Sequence, residues 1–316
     1  MDSPSFKLPS PTDEVHYPAL EKAGVRLWVK RDDLIHPDIS GNKWRKLKYN
    51  VEKALVRGNR TLLTLGGAFS NHIAATAAAG GAFGLQTIGV IRGEDADLNN
   101  PTLGFARKCG MHIHPISRAR YGAAETWEFV ESLKREFGTF YYIPQGGAND
   151  LGAMGCMDIL KENTESFDRI FLSCGTGTTA AGLVMAGKGQ IPIHAVSALK
   201  NGGYLAGEIR KLVAPLTGDS ELADEMMDQL HLDTEHHFGG YARTTDALVA
   251  FMRHFHAHTG IKLDPIYTGK AAFAMTKFAE NYPAVNGEKW LFIHTGGLQG
   301  IPSMERKWGF ELYPDC

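Results

Sequence analysis

The sequence predicts an α/β protein of two lobes, each a parallel sheet covered by helices on both faces, with a cleft between them. Three observations carry this expectation. Short apolar runs alternate with helical-period segments along the chain. The alternation breaks near Asn149-Asp150 and then starts again. Glycine turns close four of the apolar runs, where backbone can approach a ligand. At 316 residues and 43% hydrophobic content, the chain can bury the core such a fold needs.

The elements follow in order. Val25 to Lys30 reads as a strand, and Asn42 to Val56 as a helix with Trp44, Leu47, Val51 and Leu55 on one face. Thr61 to Leu65 is an apolar strand ending in Gly66-Gly67. The alanine-rich stretch from Asn71 to Gly84 is a helix opening after Ser70, a good N-cap type. Gln86 to Ile91 and Met111 to Pro115 read as strands, Asn100 to Cys109 and Ala123 to Phe137 as helices. In the second series, Leu151 to Asn163, Thr178 to Lys188, Leu205 to Leu212, Thr244 to Thr259 and Ala271 to Glu280 are helical, while Arg169 to Ser173, Ile193 to Leu199 and Trp290 to His294 are strands. Clefts between such lobes are common ligand sites.

Composition narrows the function. A formal net charge of −2 points away from nucleic acid and anionic membranes. Cys109, Cys156, Cys174 and Cys316 form no C-x-x-C pair and no zinc spacing, so a reducing, cytoplasmic setting is expected. Met1-Asp2-Ser3-Pro4-Ser5 has no signal-peptide character, and no apolar run is long enough for a bilayer. No metal site is expected: His254, His256 and His258 lie in a helical stretch without an H-E-x-x-H pattern and read as a solvated face. Arg31-Asp32-Asp33 reads as a structural ion pair at a strand end.

Lys43 is the leading chemical candidate. It follows Ser40-Gly41-Asn42 and precedes Trp44, a setting that can place an amine in a confined site beside a planar ligand. A lysine that is desolvated or close to other cations loses its proton readily and can form a Schiff base. The alternative is a surface lysine on a helix, since Lys46 and Lys48 follow.

Ser173-Cys174-Gly175-Thr176-Gly177-Thr178-Thr179-Ala180 follows an apolar strand and opens a helix. Its backbone N–H groups, the helix dipole and the hydroxyls of Thr176, Thr178 and Thr179 suit a phosphate. The letters also fit the G-x-G-x-x-A dinucleotide fingerprint, but the next strand ends in Val196-Ser197-Ala198-Leu199 without a ribose-binding acid, and no Gly-Lys-Ser/Thr follows for a Walker A loop. Gly66-Gly67-Ala68-Phe69-Ser70-Asn71-His72 is a second glycine turn at a helix start, suited to a carboxylate, with Asn71 able to bond a ring hydroxyl. Turns at Gln145-Gly146-Gly147 and at Thr295-Gly296-Gly297 complete the set. Tyr241, after Gly239-Gly240, and Tyr267, in a turn before a helix, are candidate acids or bases if they face the cleft. A Schiff-base lysine, a phosphate cup and a carboxylate turn together suit pyridoxal 5'-phosphate with an amino acid substrate.

The chain also resembles the 1-aminocyclopropane-1-carboxylate deaminase/D-cysteine desulfhydrase family, a branch of the fold type II, tryptophan synthase β-like pyridoxal phosphate enzymes. The resemblance rests on Lys30-Arg31-Asp32-Asp33, Gly41-Asn42-Lys43-Trp44-Arg45-Lys46, Ser70-Asn71-His72, Gly175-Thr176-Gly177-Thr178, Tyr267-Thr268-Gly269-Lys270 and His294-Thr295-Gly296-Gly297. It implies a two-domain, three-layer parallel-sheet architecture, with residues 1–49 and 151–316 as a large cofactor domain and 50–150 as a small one, and a homodimer. It implies that Lys43 holds the cofactor, with Asn71, Gly175, Thr176, Gly177, Thr178, Thr179 and Thr295 around it. Ser70, Asn71, His72, Gln145 and Tyr267 would bind the substrate, and Lys43, Ser70, Tyr241 and Tyr267 would act on it. Members that open the cyclopropane ring typically carry Glu where Thr268 stands and Leu where Thr295 stands, so the hydroxyls here imply D-cysteine desulfhydrase. Alternatives are the ring-opening deaminase, a D-serine-like ammonia-lyase, a non-catalytic pyridoxal phosphate carrier and a nucleotide-binding oxidoreductase.

Overall fold

The structure is a computed structural model and describes residues 5–124, 126–282 and 287–314; Cys316, the segment Met1 to Pro4 and Glu125 lie outside the described residues. The first part of the chain forms β1 (Thr12–Val15), α1 (Pro18–Lys22), β2 (Arg26–Lys30) and α2 (Asn42–Val56). Then come β3 (Thr61–Gly66), α3 (Asn71–Phe83), β4 (Gln86–Arg92), α4 (Pro101–Lys108), β5 (His112–Ile116), α5 (Arg118–Tyr121), α6 (Trp127–Phe137) and β6 (Tyr141–Ile143). The second series is α7 (Asp150–Lys161), β7 (Arg169–Cys174), α8 (Thr178–Gly187), β8 (Ile193–Ser197), α9 (Leu205–Thr217), α10 (Ser220–Met227) and β9 (Leu230–Asp233). It closes with α11 (Asp246–Thr259), α12 (Thr268–Asn281), β10 (Lys289–Ile293) and α13 (Ile301–Trp308).

Two sheets result, with strand orders β1-β2-β10-β7-β8-β9 and β5-β4-β3-β6. All pairings are parallel except β1 with β2. The inner strands of the larger sheet, β2, β10, β7 and β8, are apolar on both faces, as a sheet between two helix layers requires. Leu27, Val29, Phe171, Trp290 and Phe292 pack against α11 and α12 through Met252, Phe255 and Met275. Their alternates Trp28, Ile170, Leu172, Leu291 and Ile293 pack against α7, α8 and α9 through Ile159, Leu183 and Ile209. The smaller sheet repeats the pattern, with Leu62 and Ile143 facing Leu47 and Val51 of α2, and Leu63 and Leu65 facing Phe129 and Leu133 of α6. The boundary expected at residue 50 falls inside α2.

Several expected bounds shift for local reasons. Asn100 and Thr245 are caps rather than helical residues, each accepting from the N–H three residues on. The helix expected from Ala123 starts at Trp127, because the Thr126 hydroxyl caps it by accepting from the Phe129 N–H. The strands β1, β6 and β9 are additions, all short and all at sheet edges.

Each sheet contains one reversal of strand order. The chain runs outward over β3, β4 and β5 and returns as β6 on the other side of β3. It runs outward over β7, β8 and β9 and returns as β10 on the other side of β7. At such reversals the loops leaving the carboxyl ends of neighbouring strands diverge and open a crevice. The four glycine turns singled out by sequence are the loops after β3, β6, β7 and β10.

Candidate active site

A cavity of about 490 Å³ opens over these reversals. One wall comes from the loops after β3 and β6, through Ser70, Asn71, His72 and Gln145; the other comes from the loops after β7 and β10, through Gly175, Thr176, Thr179 and Thr295. Lys43, Tyr241 and Tyr267 also line it, so the structure gathers nearly all the sequence candidates at one place. Thr178 is the exception. It is fully enclosed under the cup, with its hydroxyl 3.0 Å from that of Thr176.

Lys43 is set by the start of α2. Gly41, the residue before the helix, has φ +65, and a Cβ there would lie 2.0 Å from the Thr295 carbonyl oxygen. Only glycine lets the helix start so close to the end of β10. The Asn42 N–H then donates to that carbonyl at 3.1 Å. Burial, and next the neighbouring charge of Lys46, push the Lys43 amine well below the ordinary lysine range. A neutral amine is the nucleophilic and basic form.

Lys46 is the residue that sequence reasoning passed over. It stands one helical turn after Lys43, is 3% exposed, lines the cavity and has no carboxylate partner among the described residues. Burial lowers its pKa as well. Its signal was the i, i+3 spacing from Lys43. A buried ammonium without a counter-ion, beside a glycine turn at a helix N-terminus, is a site for a dianion such as a phosphate. Asn42 supports the cup from behind by donating to the Thr179 hydroxyl at 2.9 Å.

Ser70 caps α3 by accepting from the Ile73 N–H at 3.4 Å, and it also lines the cavity. Asn71 is buried and its side-chain oxygen has no partner. The Thr64 hydroxyl donates to the Ile143 carbonyl at 2.8 Å, so His72 Nε2 must donate to Thr64 at 3.0 Å. That leaves His72 Nδ1 unprotonated and without a partner. Burial first, then the charges of Lys43 and Lys46, hold this histidine well below its usual pKa and therefore neutral. The Gln145 side-chain oxygen accepts from the Tyr121 hydroxyl at 2.8 Å, which frees its NH₂ to donate.

Tyr241 and Tyr267 stand edge to face, with ring centroids 6.1 Å apart. Burial raises the pKa of Tyr241 and raises that of Tyr267 well above the tyrosine value. Both hydroxyls stay protonated at neutral pH.

Ser173 and Thr295, at the ends of adjacent strands, place their hydroxyls 3.1 Å apart in the cavity lining. Thr268 does not reach the cavity. Its hydroxyl donates to Asp264 Oδ2 at 2.7 Å and accepts from the Asp264 N–H at 2.8 Å. Asp264 is itself enclosed and also accepts from the N–H groups of Ile266, Tyr267 and Thr268. The wall formed by β7 and β10 therefore offers hydroxyls and no carboxylate.

Beneath the site, α2 is fixed by charge. Arg45 bonds Asp32 at 2.8 Å and Glu162 at 2.5 Å, and Lys30 stands 3.3 Å from Glu162. Arg31 pairs with Asp33 at 2.8 Å, the structural role expected of it.

A family model described as pyridoxal-phosphate dependent enzyme matches residues 6–296. The chain belongs to the pyridoxal-phosphate dependent enzymes. It is 33% identical to the bifunctional D-cysteine desulfhydrase/1-aminocyclopropane-1-carboxylate deaminase, mitochondrial, of Arabidopsis thaliana, over 93% of this chain and 77% of that protein. It is 27% identical to the D-cysteine desulfhydrase of Salmonella paratyphi B, over 92% and 93% of the two chains. A solved structure of an ACC deaminase homologue superposes with a TM-score of 0.77 at 30% identity, over 94% of this chain and 92% of that one. The family gives the protein its class, a pyridoxal-phosphate-dependent lyase of the deaminase and desulfhydrase group with the fold type II architecture. The residues fit the cofactor. Lys43 supplies a neutral amine for its aldehyde, the Gly175 turn with Lys46 suits its phosphate, and the unpartnered Asn71 oxygen can accept from its ring hydroxyl.

Proposed function

We propose that the protein is a D-cysteine desulfhydrase, cleaving D-cysteine to pyruvate, sulfide and ammonia. One observation carries the choice within the family. The cavity wall presents the Ser173–Thr295 hydroxyl pair, and the Asp264 carboxylate is sealed behind Thr268. Bound pyridoxal phosphate supplies an electron sink for the Cα–H bond pair. A carboxylate at its ring nitrogen would deepen that sink; hydroxyls leave it shallower. A shallower sink still expels a good leaving group such as thiolate, but serves poorly to open an unactivated carbon ring.

In this reading Lys43, Asn71, Gly175 to Thr179, Lys46 and Thr295 hold the cofactor. Ser70 and the first N–H groups of α3 bind the substrate carboxylate, with His72 and Gln145 beside it. The Lys43 amine takes the α-proton. Tyr241 or Tyr267 gives a proton to the sulfur as the carbon–sulfur bond breaks. The aminoacrylate released is hydrolysed to pyruvate and ammonia. The same reading takes residues 50–150 as the small domain and 1–49 with 151–316 as the large one. It also takes the protein as a cytoplasmic homodimer, in keeping with the free Cys109, Cys156 and Cys174.

The test is an assay of sulfide and pyruvate from D-cysteine alongside ammonia release from 1-aminocyclopropane-1-carboxylate and D-serine, with Lys43→Ala as control. Turnover of D-cysteine that is lost in K43A is expected. A higher kcat/KM for the cyclopropane substrate would assign the protein to the ring-opening deaminases, an activity also in the name of its Arabidopsis relative.

A further inference from the structure

Lys270 sits in the first turn of α12 and is 1% exposed. It makes no ion pair among the described residues. Its ammonium instead donates to the carbonyls of Gly240 at 2.7 Å and His237 at 2.8 Å, with a longer contact of 3.5 Å to that of Ala198. Three carbonyl oxygens from two separate segments thus converge on one point. Their partial charges repel unless a cation stands there, and an ammonium has three donors to meet them.

Other contacts hold the segment locally: the Gly239 N–H donates to His237 Nδ1 at 2.9 Å, Phe238 packs edge to face on Phe273, and the Tyr241 hydroxyl donates to the Phe69 carbonyl at 3.4 Å. Lys270 is the group that ties it to α12 and to the turn after β8. Phe238 (φ 52), Gly239 (φ 89), Gly240 (φ 108) and Ala242 (φ 52) all have positive φ. Two of these are not glycine, and such residues persist in the left-handed region only where surrounding structure imposes it. Tyr241 lies in the middle of the segment, immediately after the carbonyl that Lys270 holds most closely. Tyr267, three residues before Lys270, closes the other side, so one ammonium ties together the two segments that bring these tyrosines edge to face. Burial lowers the pKa of Lys270 to about 8, which leaves it charged at neutral pH.

We propose that Lys270 is a positioning residue whose ammonium acts as a built-in monovalent cation, binding the carbonyls of residues 198, 237 and 240 to hold Tyr241 at the cavity. The consequence is that the enzyme needs no dissolved cation for this purpose. The effect on turnover rests on the reading of Tyr241 as a substrate-facing group; the anchoring of the segment does not.

The holoenzymes of wild type, Lys270→Met and Lys270→Ala would be compared in KCl, methylammonium chloride and tetramethylammonium chloride. Two readouts are followed, D-cysteine turnover and hydrogen exchange of the amides of residues 238–242. Wild type is expected to be indifferent to the salt. In K270M the amides exchange faster, and kcat falls by on the order of tenfold to a hundredfold, as for a displaced catalytic group. Visible absorbance of the bound cofactor persists, since Lys43 and the phosphate turn are untouched. In K270A, K⁺ or methylammonium restores both protection and turnover; tetramethylammonium, too large for the carbonyl site, restores neither. Unchanged exchange over 238–242 in K270M would overturn the proposal. So would activation of the wild type by K⁺, a measurement that holds even if neither variant folds. If D-cysteine proves not to be the substrate, the exchange data still decide the anchor.

Discussion

Gly41→Ala tests how tightly the amine of Lys43 is fixed to the end of β10. The new Cβ would lie 2.0 Å from the Thr295 carbonyl oxygen, where ordinary contact begins at 3.4 Å. The obstacle is backbone, not a side chain that can rotate aside. The start of α2 must therefore withdraw by about 1.4 Å, carrying Lys43 away from the turn after β10. The φ of +65 with ψ −146 lies in a region nearly confined to glycine and adds about 1–3 kcal/mol for a residue with a Cβ, and the forced shift adds about 1–3 kcal/mol. A displacement of about 1 Å at a reacting group can cost on the order of a hundredfold in rate. We expect G41A to fold with a lowered unfolding midpoint and to lose about that much kcat on D-cysteine, with weaker visible absorbance from the cofactor at Lys43. Activity within about twofold of wild type would refute the argument, because it would mean the amine tolerates the shift that the backbone clash demands.

Three further outcomes follow from named contacts. Lys46→Met should weaken cofactor affinity tenfold or more in a titration of the apoenzyme, about 1.5–3 kcal/mol for a lost charged hydrogen bond; it should also stabilise the apoprotein, since it removes an unpaired buried cation, and unchanged affinity would place the phosphate elsewhere. Asp32→Asn leaves Arg45 with Glu162 as its remaining carboxylate and should cost about 3 kcal/mol, the lower end for a broken buried pair, read as a shift in urea unfolding. The third concerns pH. The Lys270 pKa is lowered from 10.5 to about 8 in the folded state. Between those values the unfolded chain binds more protons, so this contribution to stability rises with pH. The gain is about 3 kcal/mol across the window and is fully lost below pH 8. Asp264 is the carboxylate that pulls this pKa back up; His237 meets Lys270 through its carbonyl, and Lys200 packs behind Gly240. Activity should fall over the same window as the cation is lost, so stability and turnover should move in opposite directions in wild type, and the stability term should vanish in K270M.

The parts of the fold that were legible are those whose signals are local. The helices α2, α3 and α8 each follow a glycine turn and carry an apolar face, and the central parallel strands are apolar on both sides, so periodicity and turn chemistry locate them. The site followed, because strand ends in such a fold converge. What escaped depends on partners remote in sequence or on residues with two readings. β1 is the polar run Thr12–Val15 and takes its order from pairing with β2. β6 has three residues and exists as a strand because β3 is beside it. Lys46 looked like a surface charge until α2 was placed with that face toward the cavity. Thr268 was singled out by the resemblance as a position that discriminates between substrates, and no local pattern reveals that its hydroxyl is already engaged by a carboxylate four positions earlier.

That last point bears on how one scaffold serves two chemistries. The cavity is lined by Lys46, by Arg92 at its exposed edge and by Glu208, while the enclosed Asp264 carboxylate is not among the lining groups and accepts four hydrogen bonds from its own turn. Those bonds do two jobs. They fix Tyr267 at the head of α12, and they hold the Asp264 carboxylate within its own turn, out of the cavity lining. In the proposed reading the Ser173–Thr295 pair would face the ring with groups that can each donate or accept. Such a wall does not force a proton onto a ring nitrogen. The electron sink stays moderate, and catalysis leans on the departing group and on the acid that protonates it. Tyr241 and Tyr267 are the hydroxyls placed to meet that demand, and their raised pKa values make position rather than acidity their contribution. Where the sink is shallow, the placement of the proton donor matters more, and the segment that carries Tyr241 is the part of the site with the most unusual backbone and a buried ammonium to hold it.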